Sequence, residues 1–490
     1  MERKCEHDES GRFEPTEMRS HQPTRRSFVK AAGVGVGGLA LGGLAGTTTA
    51  ADEPLPRLET DGKWIVTEDG EQVRLRGFAT ASLDFMDEDF FPKTQTEVVE
   101  RGTDGEKWHP NVVRLPITED AVHEQGMDYV VDDLLRPAVD LLAERGIYAM
   151  IDLHLIRPYI DAEAQAEEMV ADGWADSLDD LGFNPWVETD DLLEEFWSAV
   201  SPAFADDTNV LYELYNEPTL PVTWSDYGEY GSDVTSEEDE WLLWRDEAQP
   251  WVDTIREHAP DTPIIVGSPD WTSRTAYAPE YPFEGENLIY ASHIYPDNGV
   301  PEEFDHEYGA PAEEVPVVCT EFGWDPDEEF EETVEYGTTS EWGNPFREWI
   351  ESYENMGWVA WCFDDSWAPT FFDSPGEGTG EPWELKDDDE QMGWYIREWL
   401  EEEADGDNGD DDETDNGGES ITVGEYETTD TTSDGRHNDF TGDGQTSHDD
   451  VTAFFENLED GEIQDNPEAF DFAENDELGF ADVVELLRQV

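Results

Sequence analysis

Val210-Leu211-Tyr212-Glu213-Leu214-Tyr215-Asn216-Glu217-Pro218 is the stretch on which the reading of this chain turns. Its apolar, aromatic half has the composition of a buried strand, and the switch to Asn-Glu-Pro marks where the chain leaves the sheet, so Glu217 falls at a strand exit. A second stretch has the same grammar: Val315-Pro316-Val317-Val318-Cys319-Thr320 delivers Glu321 just before Phe322-Gly323. Six more short apolar stretches recur around these two, at Val73 to Phe78, Asn111 to Leu115, Ile147 to Leu153, Pro263 to Val266, Leu288 to Tyr295 and Trp358 to Phe363. Between the stretches at 111 and 147, Leu134, Leu135, Ala138, Leu141 and Leu142 keep helical spacing and end at Arg145-Gly146, a helix stop.

Strand and helix in alternation over roughly 350 residues predict an α/β fold with a parallel sheet closed as a (β/α)8 barrel of the TIM type. An open doubly wound sheet is the alternative. What favours the barrel is the spread of polar residues over the C-terminal ends of many strands: Arg114, His154, Asn216 with Glu217, His293 with Tyr295, Glu321 and Trp361. An open sheet would gather its site at one switch point.

Composition bounds the rest. Lys and Arg number 26 against 124 Asp and Glu, a formal net charge of −98, yet aromatics make up 12% of the chain and include 19 Trp. A disordered acidic chain would be poor in aromatics, so this one is expected to fold and to carry its acid on the surface. Nucleic acid is excluded as an expected partner, because phosphate contacts need clustered Lys and Arg. Such acidity suits concentrated salt, where screening removes the self-repulsion.

The order of regions at the N-terminus is that of an export signal. Thr24-Arg25-Arg26-Ser27-Phe28-Val29-Lys30 precedes a Gly- and Ala-rich apolar stretch and then small residues to Ala51, which assigns residues 1–51 to a signal of twin-arginine type. Met18 offers an alternative start to the leader. A membrane anchor is the competing reading, but the apolar stretch is shorter than about 18 residues and rich in glycine. A secreted protein without a membrane span is therefore expected. Beyond the leader only Cys319 and Cys362 remain, read as two buried free thiols.

Two glutamates at two strand ends match the chemistry of glycosidic bond cleavage. One protonates the leaving oxygen and the other attacks, with the carboxyls about 5 Å apart when configuration is retained. Tyr295 and Arg114 would favour the ionised form of Glu321, whose charge would in turn raise the pKa of Glu217 and keep its proton near neutral pH. Asn216 suits a sugar 2-hydroxyl, and Trp361 offers an aromatic face to a pyranose ring. His154 and His293 are read as site residues by their strand-end placement. Clustered His and Cys ligands are lacking from the pattern, so no catalytic cofactor or metal is expected. Trp271, Trp324 and Trp367 follow strand ends and are expected to line the cleft. The long connection from Ile156 to Leu193 carries Tyr159, Trp174, Phe183 and Trp186, which suit substrate subsites and packing of the loop equally.

Asn111-Val112-Val113-Arg114-Leu115-Pro116, Ile151-Asp152-Leu153-His154, Tyr215-Asn216-Glu217-Pro218, His293-Ile294-Tyr295 and Glu321-Phe322-Gly323 resemble, in order, the strand-end motifs of glycoside hydrolase family 5, the cellulase family. Trp64-Ile65-Val66 to Gly77 is similar to that family's entry into its first strand. The resemblance covers roughly residues 58 to 400, within a barrel domain assigned to residues 52–402. It implies Glu217 as acid/base and Glu321 as nucleophile, with Arg114, His154, Asn216, His293, Tyr295 and Trp361 around them. The implied activity is that of a retaining endo-β-glycanase, foremost an endo-1,4-β-glucanase acting on a β-linked polysaccharide. A β-mannanase or β-1,3-glucanase uses the same barrel and glutamates. A non-hydrolytic carbohydrate-binding surface protein is the alternative of another class, and the presence of both glutamates argues against it.

Residues 403–420 are almost wholly Glu, Asp, Gly and Asn and form an acidic linker. Beyond it a repeat begins: Asp439, Asp443 and Asp450 are matched at a constant offset by Asp471, Asn475 and Asp482. The apolar sets Val451, Phe454, Phe455, Leu458 and Val483, Leu486, Leu487, Val490 follow at helical spacing. The first loop has the pattern of an EF-hand-type calcium site, with Asp439, Thr441, Asp443, Ser447 and Asp450 as Ca2+ ligands around Gly444. The second lacks side-chain oxygens at Ala473 and Gly479 and has Asp476 where Gly is expected. Residues 421–490 thus resemble a dockerin, read as a small all-α calcium-loop domain, which implies a cohesin-like protein partner. Together with the acidic surface the chain resembles the halophilic archaeal type.

Activity and compactness are expected to require molar salt, measured as turnover and hydrodynamic radius against potassium chloride concentration; full activity at low ionic strength would contradict this. The two calcium loops are expected to differ. Calorimetric titration of residues 421–490 should find one firm site, abolished by Asp439→Ala and little changed by Asp471→Ala, and two equal sites would refute the asymmetry.

Overall fold

Eight strands form where the apolar stretches predict them, within three residues at each end. They are β1 (Arg76–Thr80), β2 (Val112–Ile117), β3 (Tyr148–Leu153), β4 (Val210–Glu213), β5 (Ile264–Val266), β6 (Leu288–Ile294), β7 (Val317–Phe322) and β8 (Gly357–Phe363). The computed structural model describes residues 54–85, 94–105, 107–171, 175–219, 234, 236–327, 330, 333–373, 383–386 and 388–407. Toward the C-terminus it describes 421–423, 426–428, 436–438, 440, 446, 448–458, 463, 466, 469–470, 472, 478–479, 482–483 and 486. The strands pair in parallel in the order β6-β7-β8-β1-β2-β3-β4-β5, and β5 meets β6 to close the barrel. Both faces of each strand are covered, which is why the sequence reads as near-continuous apolar runs.

Closure needs one backbone to approach another without a side chain between them. Gly77 faces Val112 across the β1–β2 ladder, and a Cβ there would stand 1.8 Å from the Val112 carbonyl oxygen. Around the barrel, helices lay apolar faces on the strands. Arg136–Glu144 is the helix expected from the Leu134–Leu142 spacing, and it ends before Gly146, whose φ of 69° makes the turn into β3. Trp197 on helix Thr189–Phe204 and Trp244 on helix Glu237–His258 are fully buried, and each indole N–H donates to a carbonyl just past a strand, Leu214 and Gly267 respectively. Trp358 of β8 packs on Trp399 of the helix Met392–Asp407, ring centroids 4.2 Å apart. The hairpin Leu58–Asp61 with Trp64–Thr67 and the segment before it lie at the strand-start end, where Tyr148 and Thr208 donate to the Pro56 and Leu55 carbonyls. The polar strand ends are left open at the other.

Three expectations need correction or bounding. Trp324 is not at the cleft: it is fully buried, with its indole N–H shared between the Thr339 hydroxyl and the Glu390 carbonyl. The C-terminal region is not all-α, because Ile421–Val423 pairs antiparallel with Tyr426–Thr428. The β-branched and aromatic residues of that stretch favour a ribbon, a signal that the acidic repeat after it obscured. Of the five first-loop calcium candidates, Asp439, Thr441, Asp443 and Ser447 lie outside the described residues, as do Asp471, Asn475, Leu487 and Val490 of the second unit. Asp450 is buried near the start of helix His448–Asn457. Val451 and Phe454 of that helix join Phe440, Phe470, Phe472, Val483 and Leu486 in a separate apolar core, while Phe455 stays 54% exposed. Cys319 and Cys362 are both buried and neither is in a disulfide, as expected. No helix among the described residues is long and apolar enough to cross a membrane.

Candidate active site

The polar residues at the strand ends converge because each strand delivers its last side chains to one end of the barrel. Arg114 stands on β2, Asp152 at the end of β3 and Glu213 at the end of β4, all without solvent exposure. Beyond β4 the chain is held against the segment after β3: Asn216 N–H donates to the Leu153 carbonyl at 3.1 Å and Glu217 N–H to the Leu155 carbonyl at 2.9 Å. Glu217 is therefore fixed by its backbone. A register shift between Ser292 and His293 brings His293 opposite Glu321 in the β6–β7 ladder, the kind of irregularity that re-aims a side chain.

The two glutamates and His293 form a tight group. One donor atom from each lies within 4.8 Å of the others, and all three residues are buried. His293 Nδ1 is 2.8 Å from Glu217 Oε1 and 3.5 Å from Glu321 Oε2, while its Nε2 meets the Thr320 hydroxyl at 3.1 Å. Tyr295 donates its phenol hydrogen to Glu321 Oε1 at 2.7 Å, and Arg114 Nη1 donates to Glu321 Oε2 at 3.2 Å. The same guanidinium reaches Glu213 through Nε at 2.5 Å, and through Nη2 Asn216 Oδ1 at 2.6 Å and Asp152 Oδ2 at 3.0 Å. The Asn216 Nδ2 amide is buried and has no partner, so a ligand oxygen would complete it.

Proton positions follow from burial and charge. Burial pushes Glu217 up to about 8, with Arg114 opposing and Asp152 and Glu213 adding. Desolvation thus takes the part that sequence analysis gave to the charge of Glu321. Burial also raises Glu321, against which His293 and Arg114 act. It lowers both His293 and His154 to about 4, so both imidazoles are neutral at pH 7. A neutral His293 that donates from Nε2–H to Thr320 can accept the Glu217 carboxyl proton at Nδ1. Burial would lower Arg114, but Asp152, Glu213 and Glu321 outweigh it and raise its pKa further.

Among the described residues, Glu217, His293 and Glu321 are also grouped closely enough to hold a cation. The donor set argues against it. Both oxygens of Glu321 already accept hydrogen bonds, one of them from the Arg114 cation, and a metal there would face that charge at short range.

A cleft of about 650 Å³ opens over the pair. His154 and Trp361 stack at 5.1 Å with their planes 1° apart, Trp367 lies 5.8 Å from Trp361, and all three line the cleft with Trp271 and Tyr295. All eight barrel residues singled out from sequence therefore meet at one end of the fold. Of the aromatics in the connection after β3, Tyr159 is core and Trp186 is 59% exposed, while Trp174 lies outside the described residues. That connection is pinned by the buried pair Arg157 and Glu119, which also hold the Asn184 and Val187 backbone. Sequence reasoning missed Asp152 and Glu213 as site residues. The signal was available, for each is a carboxylate inside an otherwise apolar strand.

Comparison with known proteins bears on the barrel. The family model described as Cellulase (glycosyl hydrolase family 5) matches residues 66–366, more than half of the chain. Endoglucanase E-5 of Thermobifida fusca is 24% identical over 356 residues, 69% of this chain and 63% of that protein. Endoglucanase C of Evansella cellulosilytica is 27% identical over 264 residues, 52% of this chain and 28% of that protein. The chain thus spans less than two thirds of the length of these curated relatives. A β-glucanase of Saccharophagus degradans, solved in complex with cellotetraose, has the same fold, with a TM-score of 0.57 at 20% identity over 72% of this chain and 94% of that one.

Arg114→Met is expected to leave Glu213, Asp152 and Glu321 uncompensated in the interior. Stability should fall by about 3–5 kcal/mol, read from the denaturant midpoint. An unchanged midpoint would contradict the role given to the guanidinium.

Proposed function

The chain belongs to glycosyl hydrolase family 5, the cellulase family, and from that premise we propose a retaining endo-β-glycanase, foremost an endo-1,4-β-glucanase. The observation that carries the reading is the buried approach of one carboxylate oxygen of Glu217 to within 4.8 Å of one of Glu321, the first residue paired with neutral His293 and the second with Tyr295 and Arg114. That approach suits nucleophilic attack by a carboxylate better than the wider spacing an inverting mechanism needs to seat a water.

In the first step Glu321 attacks the anomeric carbon while Glu217 gives its proton to the glycosidic oxygen. The carbon–oxygen bond breaks, the leaving sugar departs as an alcohol, and a glycosyl ester remains on Glu321. In the second step the Glu217 carboxylate takes a proton from water, whose oxygen attacks the same carbon and frees Glu321. The Tyr295 phenol and the Arg114 guanidinium lower the cost of the nucleophile's charge in a buried site. The unpartnered Asn216 Nδ2 suits the sugar 2-hydroxyl, and the stacked His154 and Trp361 suit the ring that becomes attached. Trp271 and Trp367 extend the apolar lining for neighbouring sugars.

The remaining readings are proposals of the same kind. Export by the twin-arginine route rests on Arg25-Arg26 in the leader, and adaptation to salt rests on the net charge of −98. A calcium-binding, dockerin-like segment with a cohesin-like partner rests on the repeat. It is consistent with Asp450 and Asp482, the equivalent twelfth positions of the two loops, both being buried, as carboxylates that hold a cation would be.

Glu217→Ala and Glu321→Ala should each lower turnover by orders of magnitude while keeping the far-UV spectrum and melting temperature. Wild-type activity in either would end the assignment. The assay compares reducing-sugar release from carboxymethyl cellulose, β-mannan and laminarin in concentrated salt, with the first expected to lead. Because Glu217 must be protonated to act and burial raises it to about 8, kcat/KM should hold below that pH and fall as pH rises through it. A basic limb near pH 5 would contradict the protonated state of Glu217.

A further inference from the structure

The segment that presents Trp271 to the cleft has a backbone that its residues do not favour. Asp270, Trp271 and Thr272 have φ of 58°, 54° and 59°, three successive non-glycine residues in the left-handed region. Left-handed geometry is unfavourable for a residue that carries a Cβ and is normally visited by single residues, so the surrounding structure must over-determine it.

Two sets of contacts do so. Thr272 Oγ–H donates to the Asn216 carbonyl at 2.7 Å, and Thr272 N–H donates to the Ser268 carbonyl at 3.0 Å. There is no slack behind this tie, since a Cβ on Gly267 would stand 2.8 Å from the Thr272 hydroxyl and 2.9 Å from the Tyr215 carbonyl. Arg274 supplies the second set. Its guanidinium pairs with Asp270, lies 3.5 Å from the buried Glu240 carboxylate of helix Glu237–His258, and lies 3.7 Å from Glu237. Its N–H donates to Ser268 Oγ at 2.8 Å. The turn is thus anchored on one side to the residue before the acid/base and on the other to a helix of the barrel wall.

We propose that Thr272 and Arg274 are positioning residues that hold this left-handed turn so that the Trp271 indole supports the sugar on the leaving-group side of the scissile bond. The inference rests on the assignment of Glu217 as acid/base. Glu217 protonates the leaving oxygen, and Trp271 follows β5, the neighbour of β4, on a turn tied to the carbonyl beside Glu217, so it stands where the departing sugar lies. The stacked pair of His154 and Trp361 lies beside Arg114, whose guanidinium is 5.9 Å from the Trp361 ring centre, and so on the side of the sugar that is retained. Neither Thr272 nor Arg274 needs to touch substrate. Each acts through the placement of Trp271.

A substrate without a leaving-group sugar separates this role from a general structural one. Arg274→Met and Thr272→Val should raise KM for cellopentaose roughly tenfold, close to the effect of Trp271→Ala, as expected for loss of one stacking partner. Their kcat/KM for a dinitrophenyl β-cellobioside, whose leaving group needs neither a sugar platform nor a proton, should stay within about twofold of wild type. Arg274→Lys should recover most of the loss. If Arg274→Met does not fold, Thr272→Val, which keeps shape and volume, decides. Unchanged KM for cellopentaose in folded variants, or equal losses on both substrates, would overturn the inference. Glu217→Ala is run alongside: wild-type hydrolysis of cellopentaose by that variant would show that the acid/base assignment had failed, whereas an inactive Glu217→Ala beside wild-type positioning variants would reject the positioning role alone.

Discussion

A guanidinium with no solvent contact has to be answered by charge, and Arg114 is answered by Glu213, Glu321 and Asp152 together with the Asn216 amide oxygen. These four partners come from the ends of β3 and β7 and from the end of β4 and the segment just past it. One planar fork thus fixes the relative position of three strand ends. One positive charge among three carboxyls leaves an excess of negative charge, and the site resolves it with protons. Burial holds Asp152 up to about 7 and Glu217 up to about 8. The proposed acid keeps its proton because the interior cannot support another anion.

The rest of the barrel serves this arrangement. Closure of the eight strands, with Gly77 allowing β1 to reach β2, sets the circumference at which Glu217 and Glu321 face each other. The pairing of Ile156–Arg157 with Glu217–Pro218 extends the strand-end geometry beyond the barrel and fixes the backbone of the acid at the wall of the cleft. Outside this ring, loops are stapled by buried ion pairs, Arg157 with Glu119 and Lys386 with Asp325, the latter 2.7 Å apart. In a chain of net charge −98, two of the few cations hold loops in this way.

Strand positions, the barrel and the convergence of the eight singled-out residues at one end of it were legible because the signal is local. A buried parallel strand must be apolar, so a polar residue at its end stands out. Trp324 was misread because sequence distance from a strand end does not say which way a side chain turns, and here the indole finds Thr339 and Glu390 inside the wall. Asp152 and Glu213 were overlooked for the converse reason. They lie within strands, where a carboxylate is tolerable only beside a buried cation from another strand, and pairing between Arg114 and Glu213, 99 residues apart, is not written in local pattern. The left-handed turn at Asp270–Thr272 carries no glycine to announce it. In the C-terminal segment the helical repeat hid the pairing of Ile421–Val423 with Tyr426–Thr428.

The central claim is that Glu321 becomes covalently glycosylated while Glu217 handles the proton. It is tested most directly by incubating the enzyme, in concentrated salt, with a 2-deoxy-2-fluoro-β-cellobioside bearing a dinitrophenyl leaving group and mapping the adduct by peptide mass spectrometry. The fluorine slows both steps and the good leaving group restores the first, so the glycosyl ester should accumulate. The account predicts a single fluorocellobiosyl adduct on Glu321, with loss of activity in step with labelling. An adduct on a different residue, or hydrolysis of unmodified substrate with inversion at the anomeric carbon, would contradict it.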